Sequence, residues 1–261
     1  MRGIILAGGK GTRLYPITLA VSKQLLPIYD KPMIYYPLST LIDLNIKEIA
    51  VITTRESQDS YKKLLGDGSL FGVDINYLIQ DEPDGIAQSF IIAEEFIRGM
   101  RSCLILGDNI FYDLNHDRIL KRIENGNENG GGNGALIFSI YHKNPSNYGV
   151  LEYGTDGRIS SIVEKPENPQ SNYIVPGMYF YDDSVVERAK RLKRSQRGEI
   201  EITDLNKSYL RDGLMSVYKL SKNVRWFDAG SPDDLLESSR FMKNRKSYKE
   251  NPINNLSNEI K

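Results

Sequence analysis

Short apolar runs alternate, along the first half of the chain, with segments whose apolar residues recur every three or four positions. Runs of the first kind predict strands, and segments of the second kind predict helices. The predicted strands are Gly3–Ala7, Glu48–Thr53, Asp74–Gln80 and Ser102–Leu106. The predicted helices lie near Pro32–Leu44, Ser57–Leu65 and Gly85–Ile97. Strands that alternate with helices favour an α/β fold with a mainly parallel sheet, flanked by helices on both faces.

The second half of the chain carries shorter apolar runs between turn signals such as Gly154–Gly157 and Pro166–Pro169. These runs predict strands over Ala135–Tyr141, Gly149–Tyr153, Ile159–Val163 and Tyr173–Tyr181. A final helix is predicted from Ser231, which can cap it, to about Lys246. The polar, glycine-rich stretch Gly126–Gly134 predicts a flexible connection, and residues 250–261 predict a flexible tail.

Composition narrows the class of protein. The 261 residues include 34 Lys and Arg against 34 Asp and Glu, so no overall field attracts nucleic acid or an anionic membrane. The single cysteine, Cys103, lies in an apolar run, which predicts a buried, unreactive thiol and excludes an internal disulfide. No secretory pattern or membrane-spanning apolar stretch is visible. We therefore expect a cytoplasmic protein with no nucleic-acid or membrane partner.

The first predicted strand ends in Gly8, Gly9 and Gly11, with Arg13 following almost at once. Glycine lets a backbone approach a ligand closely, and successive exposed N–H groups can bind an anion. A guanidinium beside them offers forked donors that suit phosphate. This pattern predicts a nucleotide-phosphate site, and the alternative is a tight turn that binds nothing.

Two commoner glycine motifs do not fit this stretch. A dinucleotide fingerprint needs a third glycine where Leu14 stands, and a Walker loop needs Ser or Thr after Gly-Lys, where Gly11 stands. The chain continues with Pro16-Ile17-Thr18 and then with Ser22-Lys23-Gln24-Leu25-Leu26-Pro27.

As a whole, Gly3–Leu41 resembles the sugar-1-phosphate nucleotidyltransferases, whose signature reads L-A-G-G-x-G-T-R-L-x-P-x-T followed by S-K-x-L-L-P. It is most similar to the thymidylyltransferases among them, which make dTDP-glucose and pyrophosphate from dTTP and glucose 1-phosphate. The resemblance runs from Arg2 to about Lys243. It implies a Rossmann-like sheet with a smaller sugar-binding β subregion.

The resemblance also implies a set of nucleotide-binding residues. They are Leu6, Gly8, Gly9, Gly11, Thr12, Arg13, Gln80, Pro83, Gly85 and Asp108. The amide of Gln80 can both donate to and accept from the edge of a pyrimidine. The segment from Gln80 resembles the family's Q-x-x-P-x-G-x-A-Q, which does not separate thymine from uracil. Its alternative interpretation is the capped start of a helix.

Two aspartates are the candidate metal ligands, because each follows an apolar run. Magnesium needs few protein carboxylates, since water and phosphate oxygens complete its shell. The resemblance implies that Asp108 and Asp228 jointly hold a catalytic Mg2+ and act with Arg13 and Lys23, which contact the triphosphate. The second acid stands in Asp-Ala-Gly where the thymidylyltransferases usually have Asp-Thr-Gly. The alternative role for each acid is to cap a turn or a helix.

The resemblance places the sugar phosphate on a further group of residues. They are Lys23, Tyr148, Gly149, Glu164, Lys165 and Val175. Glu164 can accept hydrogen bonds from sugar hydroxyls, and Lys165 can hold the attached phosphate. The alternative is an ordinary surface pair. Pro176 stands where the family often has threonine, which leaves the exact sugar open.

We interpret residues 1–249 as one domain, with 1–125 mainly binding the nucleotide and 135–230 mainly binding the sugar and the metal. The chain stops before the C-terminal helices of long-form relatives, so we expect a short form without their feedback site. The resemblance implies a homo-oligomer. The alternatives are the same chemistry with UTP or another hexose 1-phosphate, a non-catalytic nucleotide-sugar-binding regulator, and a glycosyltransferase, although no D-x-D pair lies at a plausible strand end.

Overall fold

A computed structural model describes residues 1–125, 134–155 and 157–245 of the chain. The strands, β1 to β14 in chain order, are Arg2–Leu6, Pro27–Ile28, Lys31–Pro32, Glu48–Thr53, Asp74–Ile79, Ser102–Leu106, Asn109–Tyr112, Ala135–Tyr141, Gly149–Tyr153, Ile159–Glu164, Tyr173–Ile174, Met178–Tyr181, Met215–Lys219 and Arg225–Asp228. The α-helices, α1 to α8, are Tyr35–Asp43, Gln58–Leu65, Gln88–Ile92, Glu94–Ile97, His116–Asn125, Val185–Lys190, Ile202–Arg211 and Pro232–Lys243.

The predicted connection Gly126–Gly134 lies outside the described residues except for its last glycine, and the predicted tail 250–261 lies wholly outside them. Within the described ranges, no helix combines the length and the apolar character needed to cross a membrane.

The chain divides into two compact units, each built from separate stretches of sequence. The first contains Met1–Pro83, Ile105–Asp113 and the described residues from Arg225 onward, and the second contains Asp84–Leu104 and Leu114–Val224. Asp108 and Asp228 therefore belong to the same unit, although most of the second unit separates them in sequence.

The first unit contains parallel strands in the order β1-β4-β5, with Ile5 opposite Val51 and Val51 opposite Tyr77. Ile4, Ile5 and residues 49–52 have no exposed surface. Parallel strands that are covered on both faces need such continuous apolar runs, which is why the sequence pattern predicted these strands correctly. The predicted α/β fold with a helix-flanked parallel sheet is confirmed.

A short antiparallel ribbon in the first unit was not predicted. β7 pairs with β14, so that Asn109 lies opposite Asp228. A small core that includes Ile110, Ala229 and Met242 packs beside this ribbon. α8 contributes Met242, and it begins as predicted, with the Ser231 hydroxyl accepting a hydrogen bond from the backbone N–H of Asp234. The helix ends at Lys243, three residues before its predicted end.

The second unit is a mixed sheet around β8. β12 and β11 pair with it antiparallel and β13 pairs with it parallel, while β9 lies between β10 and β11. The single strand predicted over Tyr173–Tyr181 is wrong, because it breaks at residues 175–177. Pro176 has no N–H to donate to the ladder, and Val175 bonds instead to the carbonyl of Gly149 on β9.

The helix predicted over Gly85–Ile97 is also wrong in its start and its continuity. It begins at Gln88 and is interrupted at Ala93, giving α3 and α4. The carbonyl of Asp84 accepts a hydrogen bond from the N–H of Ile200, and Ala87 donates to the carbonyl of Ile200. This pairing holds the segment extended, so a helix cannot begin at Gly85.

Candidate active site

The glycine-rich segment leaves the sheet immediately after β1. The N–H of Ala7 still donates to the carbonyl of Ile52, at 2.7 Å, and the chain turns away at Gly8. A Cβ atom on Gly8 would collide with the side-chain oxygen of Gln80, whereas a Cβ atom on Gly9 would meet nothing within 4 Å. Glycine at position 8 therefore lets the buried Gln80 side chain lie against the backbone.

The next turn presents Thr12 and Arg13 to solvent. Gly11 has a φ of +63°, and its carbonyl accepts hydrogen bonds from the N–H of Leu14 and from the hydroxyl of Thr18, each at 2.9 Å. A side chain at position 11 would combine an unfavourable backbone conformation with a 2.9 Å approach to Thr18. The sequence Gly-Thr-Arg thus forms a fixed turn.

A cavity of about 500 Å³ lies next to this turn, wholly within the first unit. Four of the predicted nucleotide-binding residues line it, namely Gly8, Gly9, Gln80 and Pro83. Lys10 lines it as well. The structure therefore brings together the strand ends that the sequence pattern singled out.

The β7–β14 ribbon brings the two candidate metal ligands together. Asp108 immediately precedes β7, and Asp228 is the last residue of β14. The N–H of Ala229 donates to the backbone carbonyl of Asp108 at 3.0 Å, which extends the ladder by one bond. Ala229 itself is fully buried in the small core, so the unusual residue of Asp-Ala-Gly packs against apolar neighbours.

Asp108 is held ionised by its surroundings. Nζ of Lys23 lies 2.5 Å from its Oδ2, and the amide of Asn109 donates to its Oδ1 at 3.0 Å. Burial alone would raise the pKa of Asp108, but the charge of Lys23 and these hydrogen bonds outweigh it and lower the pKa. Trp226 fixes Asn109 in turn, since its indole N–H donates to the Asn109 side-chain oxygen at 2.7 Å.

Asp228 has the opposite shift. Burial, followed by the negative charge of Asp108, raises the pKa of Asp228 to about 6, although Arg13 opposes the change. The guanidinium of Arg13 lies 3.5 Å from Oδ2 of Asp228. A Cβ atom on Gly230 would collide with that guanidinium, so glycine at this position makes room for Arg13.

This acidic pair fits a divalent cation. The two carboxylates lie close enough for the charge of Asp108 to raise the pKa of Asp228, and Lys23 and Arg13 lie beside them. In residues 1–125, 134–155 and 157–245, no three His, Cys, Asp or Glu side chains cluster into a metal site. A cation here would take two protein carboxylates and complete its shell with water or phosphate oxygens, which suits Mg2+.

Several of the predicted sugar-phosphate residues meet in the second unit. The N–H of Lys165 donates to the carbonyl of Tyr148 at 3.0 Å, and that of Val175 donates to the carbonyl of Gly149 at 2.9 Å. Lys165 has a φ of +43°, which is strained for a residue with a side chain. The Lys165 side chain is half-exposed, and its ammonium lies 3.9 Å from Oε1 of Glu164.

Glu164 has further partners that the sequence analysis missed. The hydroxyl of Thr203 donates to its Oε2 at 2.5 Å, and the guanidinium of Arg197 lies 3.4 Å from its Oε1. Arg197 is itself held by Glu201, with two 2.8 Å contacts from one nitrogen. The sequence signal was the alternation of acidic and apolar residues over Glu199–Ile202, at the start of α7.

Gly85 has a packing role in the second unit. A Cβ atom there would collide with the carbonyl oxygen of Ile200 and would lie 2.7 Å from its nitrogen. Gly85 also has a φ of +106°, and the neighbouring Asp84 pairs with Arg194 at 2.6 Å. Backbone packing therefore requires this glycine, whether or not a nucleotide base contacts it.

Known proteins that are similar to this chain are nucleotidyltransferases, in agreement with the geometry of the site. Residues 2–245 match the family described as Nucleotidyl transferase. A glucose-1-phosphate thymidylyltransferase of Neisseria meningitidis serogroup A is 53% identical over 242 residues, which cover 93% of this chain and 82% of the relative. One from Mycobacterium tuberculosis is 50% identical over 243 residues, with the same two coverages.

Solved structures show the same fold. A Bacillus anthracis protein provisionally named glucose-1-phosphate thymidylyltransferase, solved with sucrose, superposes with a TM-score of 0.87 at 37% identity. The match covers 97% of this chain and 99% of that one. A UDP-glucose pyrophosphorylase complexed with UDP-glucose has a TM-score of 0.80 at 23% identity and supports the fold alone, over 94% of this chain and 99% of that one.

The predicted membership is confirmed by these matches. The family generally uses a divalent metal, and its substrates are nucleoside triphosphates and sugar phosphates. The chain belongs to the nucleotidyl transferase family and is a nucleotidyltransferase.

Proposed function

We propose that this enzyme transfers the thymidylyl group of dTTP to glucose 1-phosphate, giving dTDP-glucose and pyrophosphate. The observation that carries the proposal is the convergence of Arg13, Lys23, Asp108 and Asp228 in one unit of the structure. A protein that only bound a sugar nucleotide would not need a buried acid and a partly buried acid so close together. The named relatives, at about half identity over most of their length, support the choice of dTTP and glucose 1-phosphate.

The nucleotide is proposed to bind to the first unit. Backbone groups of the glycine-rich turn would hold the triphosphate, from Leu6 through Gly8, Gly9, Gly11 and Thr12. Arg13 would grip two of its oxygens, and Lys23 would supply a compact positive charge. Gln80 and Pro83 would lie against the base.

Asp108 and Asp228 are proposed to hold Mg2+. When bound, the ion would offset charge on the α-phosphate and on the departing pyrophosphate. Lys23 already neutralises one oxygen of Asp108, and the negative charge that remains lies on Asp228.

The sugar phosphate is proposed to bind to the second unit. Glu164 would accept hydrogen bonds from glucose hydroxyls, because Thr203 and Arg197 fix its orientation. Gly149 and Val175 would allow close approach of backbone to the sugar, beside Tyr148. The strained backbone of Lys165 would present its ammonium to the phosphate.

The chemistry is an in-line displacement. A phosphate oxygen of glucose 1-phosphate forms a bond to the α-phosphorus of dTTP, and the bond from that phosphorus to the bridging oxygen of the β-phosphate breaks. The electron pair leaves with pyrophosphate. The attacking oxygen is already ionised near neutral pH, so the chain need not supply a general base. Its residues act by positioning and by charge stabilisation.

A pyrophosphate-release assay tests this proposal. The purified chain is incubated with Mg2+, each nucleoside triphosphate in turn and a panel of hexose 1-phosphates. We expect dTTP with glucose 1-phosphate to give the highest kcat/KM and a product with the mass of dTDP-glucose. Preference for UTP or another sugar would overturn the substrate assignment, and the absence of pyrophosphate with every pair would overturn the enzymatic proposal.

A further inference from the structure

Three polar side chains form a closed triangle beside the acidic pair. The hydroxyl of Ser22 lies 2.9 Å from Oε1 of Gln24 and 2.8 Å from the phenol oxygen of Tyr61. The phenol of Tyr61 lies 3.2 Å from the same Oε1. Ser22 and Gln24 flank Lys23 in the chain, whereas Tyr61 comes from α2.

The number of hydroxyl protons in this triangle determines which atoms of the Gln24 amide are held. Ser22 and Tyr61 each have one hydroxyl proton, and these two protons serve three oxygen atoms. Whichever way the protons are arranged, at least one is available to Oε1 of Gln24. The amide nitrogen of Gln24 is left over, and none of the described residues accepts a hydrogen bond from it. The triangle therefore holds the oxygen of the amide and keeps its two N–H donors available.

The amide lies next to the proposed chemistry. Gln24 is 3% exposed, and its Cγ lies so near Gly107 that a Cβ atom on that glycine would come within 2.9 Å. Gly107 directly precedes Asp108, and its N–H donates to the carbonyl of Leu6 at the end of β1. The triangle thus supports the segment that carries Lys23, at the strand ends where Asp108 emerges.

Tyr61 is suited to hold this segment without touching a ligand. Its side chain is fully buried, and the helix that carries it packs against β5. Burial raises the pKa of Tyr61 far above its ordinary value, with a smaller contribution from the charge of Asp108, so the phenol keeps its proton.

We propose that Tyr61 is a positioning residue for nucleotidyl transfer. With Ser22, it fixes the carboxamide of Gln24 so that the amide N–H groups stay free to donate beside Asp108. This inference rests on the proposed function, because it assigns Tyr61 a part in the same reaction.

The test compares Tyr61→Phe with Tyr77→Phe. Tyr77 is the matched control, since its phenol donates to the backbone carbonyls of Gly66 at 2.6 Å and of Tyr61 at 3.4 Å and has no hydrogen bond to Ser22 or Gln24. We expect Tyr61→Phe to lower kcat about five- to tenfold with a similar melting temperature, which is the effect of one lost hydrogen bond. Ser22→Ala should behave alike, and the double variant should lose more than the product of the two, because either hydroxyl alone can still hold Oε1.

A second background shows whether Tyr61 acts through Gln24. In Gln24→Met, the further change Tyr61→Phe should leave kcat unaltered. A Tyr61→Phe enzyme as active as Tyr77→Phe, or equal losses of kcat with and without Gln24, would overturn the positioning role. Wild-type protein that releases no pyrophosphate would instead overturn the proposed function, so the two failures are distinguishable.

Discussion

The ammonium nitrogen of Lys23 lies 2.5 Å from Oδ2 of Asp108, and both side chains are buried. The cation neutralises Asp108, whose charge raises the pKa of Asp228. Without it, Asp108 would carry an uncompensated charge beside the partly buried Asp228, which pairs with the largely exposed Arg13. This pair therefore joins the stability of the first unit to its proposed chemistry, and the predictions below separate the two.

Replacing Lys23 with Met should cost both stability and activity. Removing one partner of a buried pair leaves an uncompensated charge, which typically costs about 3–5 kcal/mol. Urea unfolding at pH 7.5 should show a loss of that size, and no thymidylyl transfer should remain. The double change Lys23→Met with Asp108→Asn should recover much of the stability but none of the activity. A single variant as stable as the wild type would contradict the importance of the pair.

Replacing Asp108 with Asn should remove activity and preserve the fold. The substitution keeps the shape of the side chain and removes the charge that the metal and Lys23 share, so pyrophosphate release should fall by about 10³-fold. Circular dichroism should be unchanged. The exposed Asp74 provides the control, and Asp74→Asn should keep full activity. Near-normal turnover by Asp108→Asn would remove this acid from the mechanism.

Asp228 should make the metal-free protein less stable as the pH rises. Its pKa is raised from 3.8 to about 6 in the folded state, so the folded protein holds a proton that the unfolded chain releases in this range. The stabilisation is fully present below pH 3.8 and is lost as the pH rises through about 6. The unfolding free energy should fall by about 3 kcal/mol over this range.

Urea unfolding of wild type and Asp228→Asn, each without divalent cations, measures this contribution. The unfolding free energy of Asp228→Asn should rise relative to that of the wild type between pH 4 and 6, because the pKa of the carboxyl is 3.8 in the unfolded chain and about 6 in the folded protein. Added Mg2+ should stabilise the wild type more above this range than below it, because a proton competes with the metal. Parallel pH curves for the two proteins would contradict the raised pKa.

Replacing Thr203 with Val should affect the sugar substrate alone. The change removes the hydroxyl that donates to Oε2 of Glu164, so Glu164 loses its fixed orientation. We expect the KM for glucose 1-phosphate to rise about tenfold, as one hydrogen bond to a charged group is worth roughly 1.5 kcal/mol, while the KM for dTTP stays constant. Ser208 is a control on the same helix, because its hydroxyl bonds to the carbonyl of Leu205. A rise in both KM values would contradict the sugar assignment.

Two glycines of the second unit allow the energetic cost of a strained backbone to be measured apart from the cost of a steric collision. Gly85 and Gly99 both have a positive φ, but only a Cβ atom at position 85 would strike neighbouring backbone. Gly99→Ala should cost about 1 kcal/mol in unfolding free energy, which is the backbone term. Gly85→Ala should cost at least twice as much, because Ile200 cannot move away cheaply. Equal losses of unfolding free energy in the two variants would show that the backbone at Ile200 moves away at little cost.

The sequence alone was sufficient for the parallel strands and the glycine-rich turn. β1, β4 and β5 are continuous apolar runs because both of their faces are covered, and such runs are visible without any tertiary information. Gly8, Gly11 and Arg13 form a local signal, since the geometry of a turn depends on residues that are neighbours in sequence. Ser231 and Pro232 likewise marked the start of α8 by chemistry confined to one turn.

Only the tertiary structure decided how distant residues meet. The β7–β14 ribbon joins Asn109 to Asp228 across more than a hundred residues, and neither short strand has a pattern strong enough to be predicted. The division of the chain into two discontinuous units follows from the same long-range pairing. The pKa of Asp228, the strain at Lys165 and the triangle around Gln24 depend on burial and on partners remote in sequence. Local patterns fix elements, whereas the electrostatics of a site depend on which elements the folded chain brings into contact.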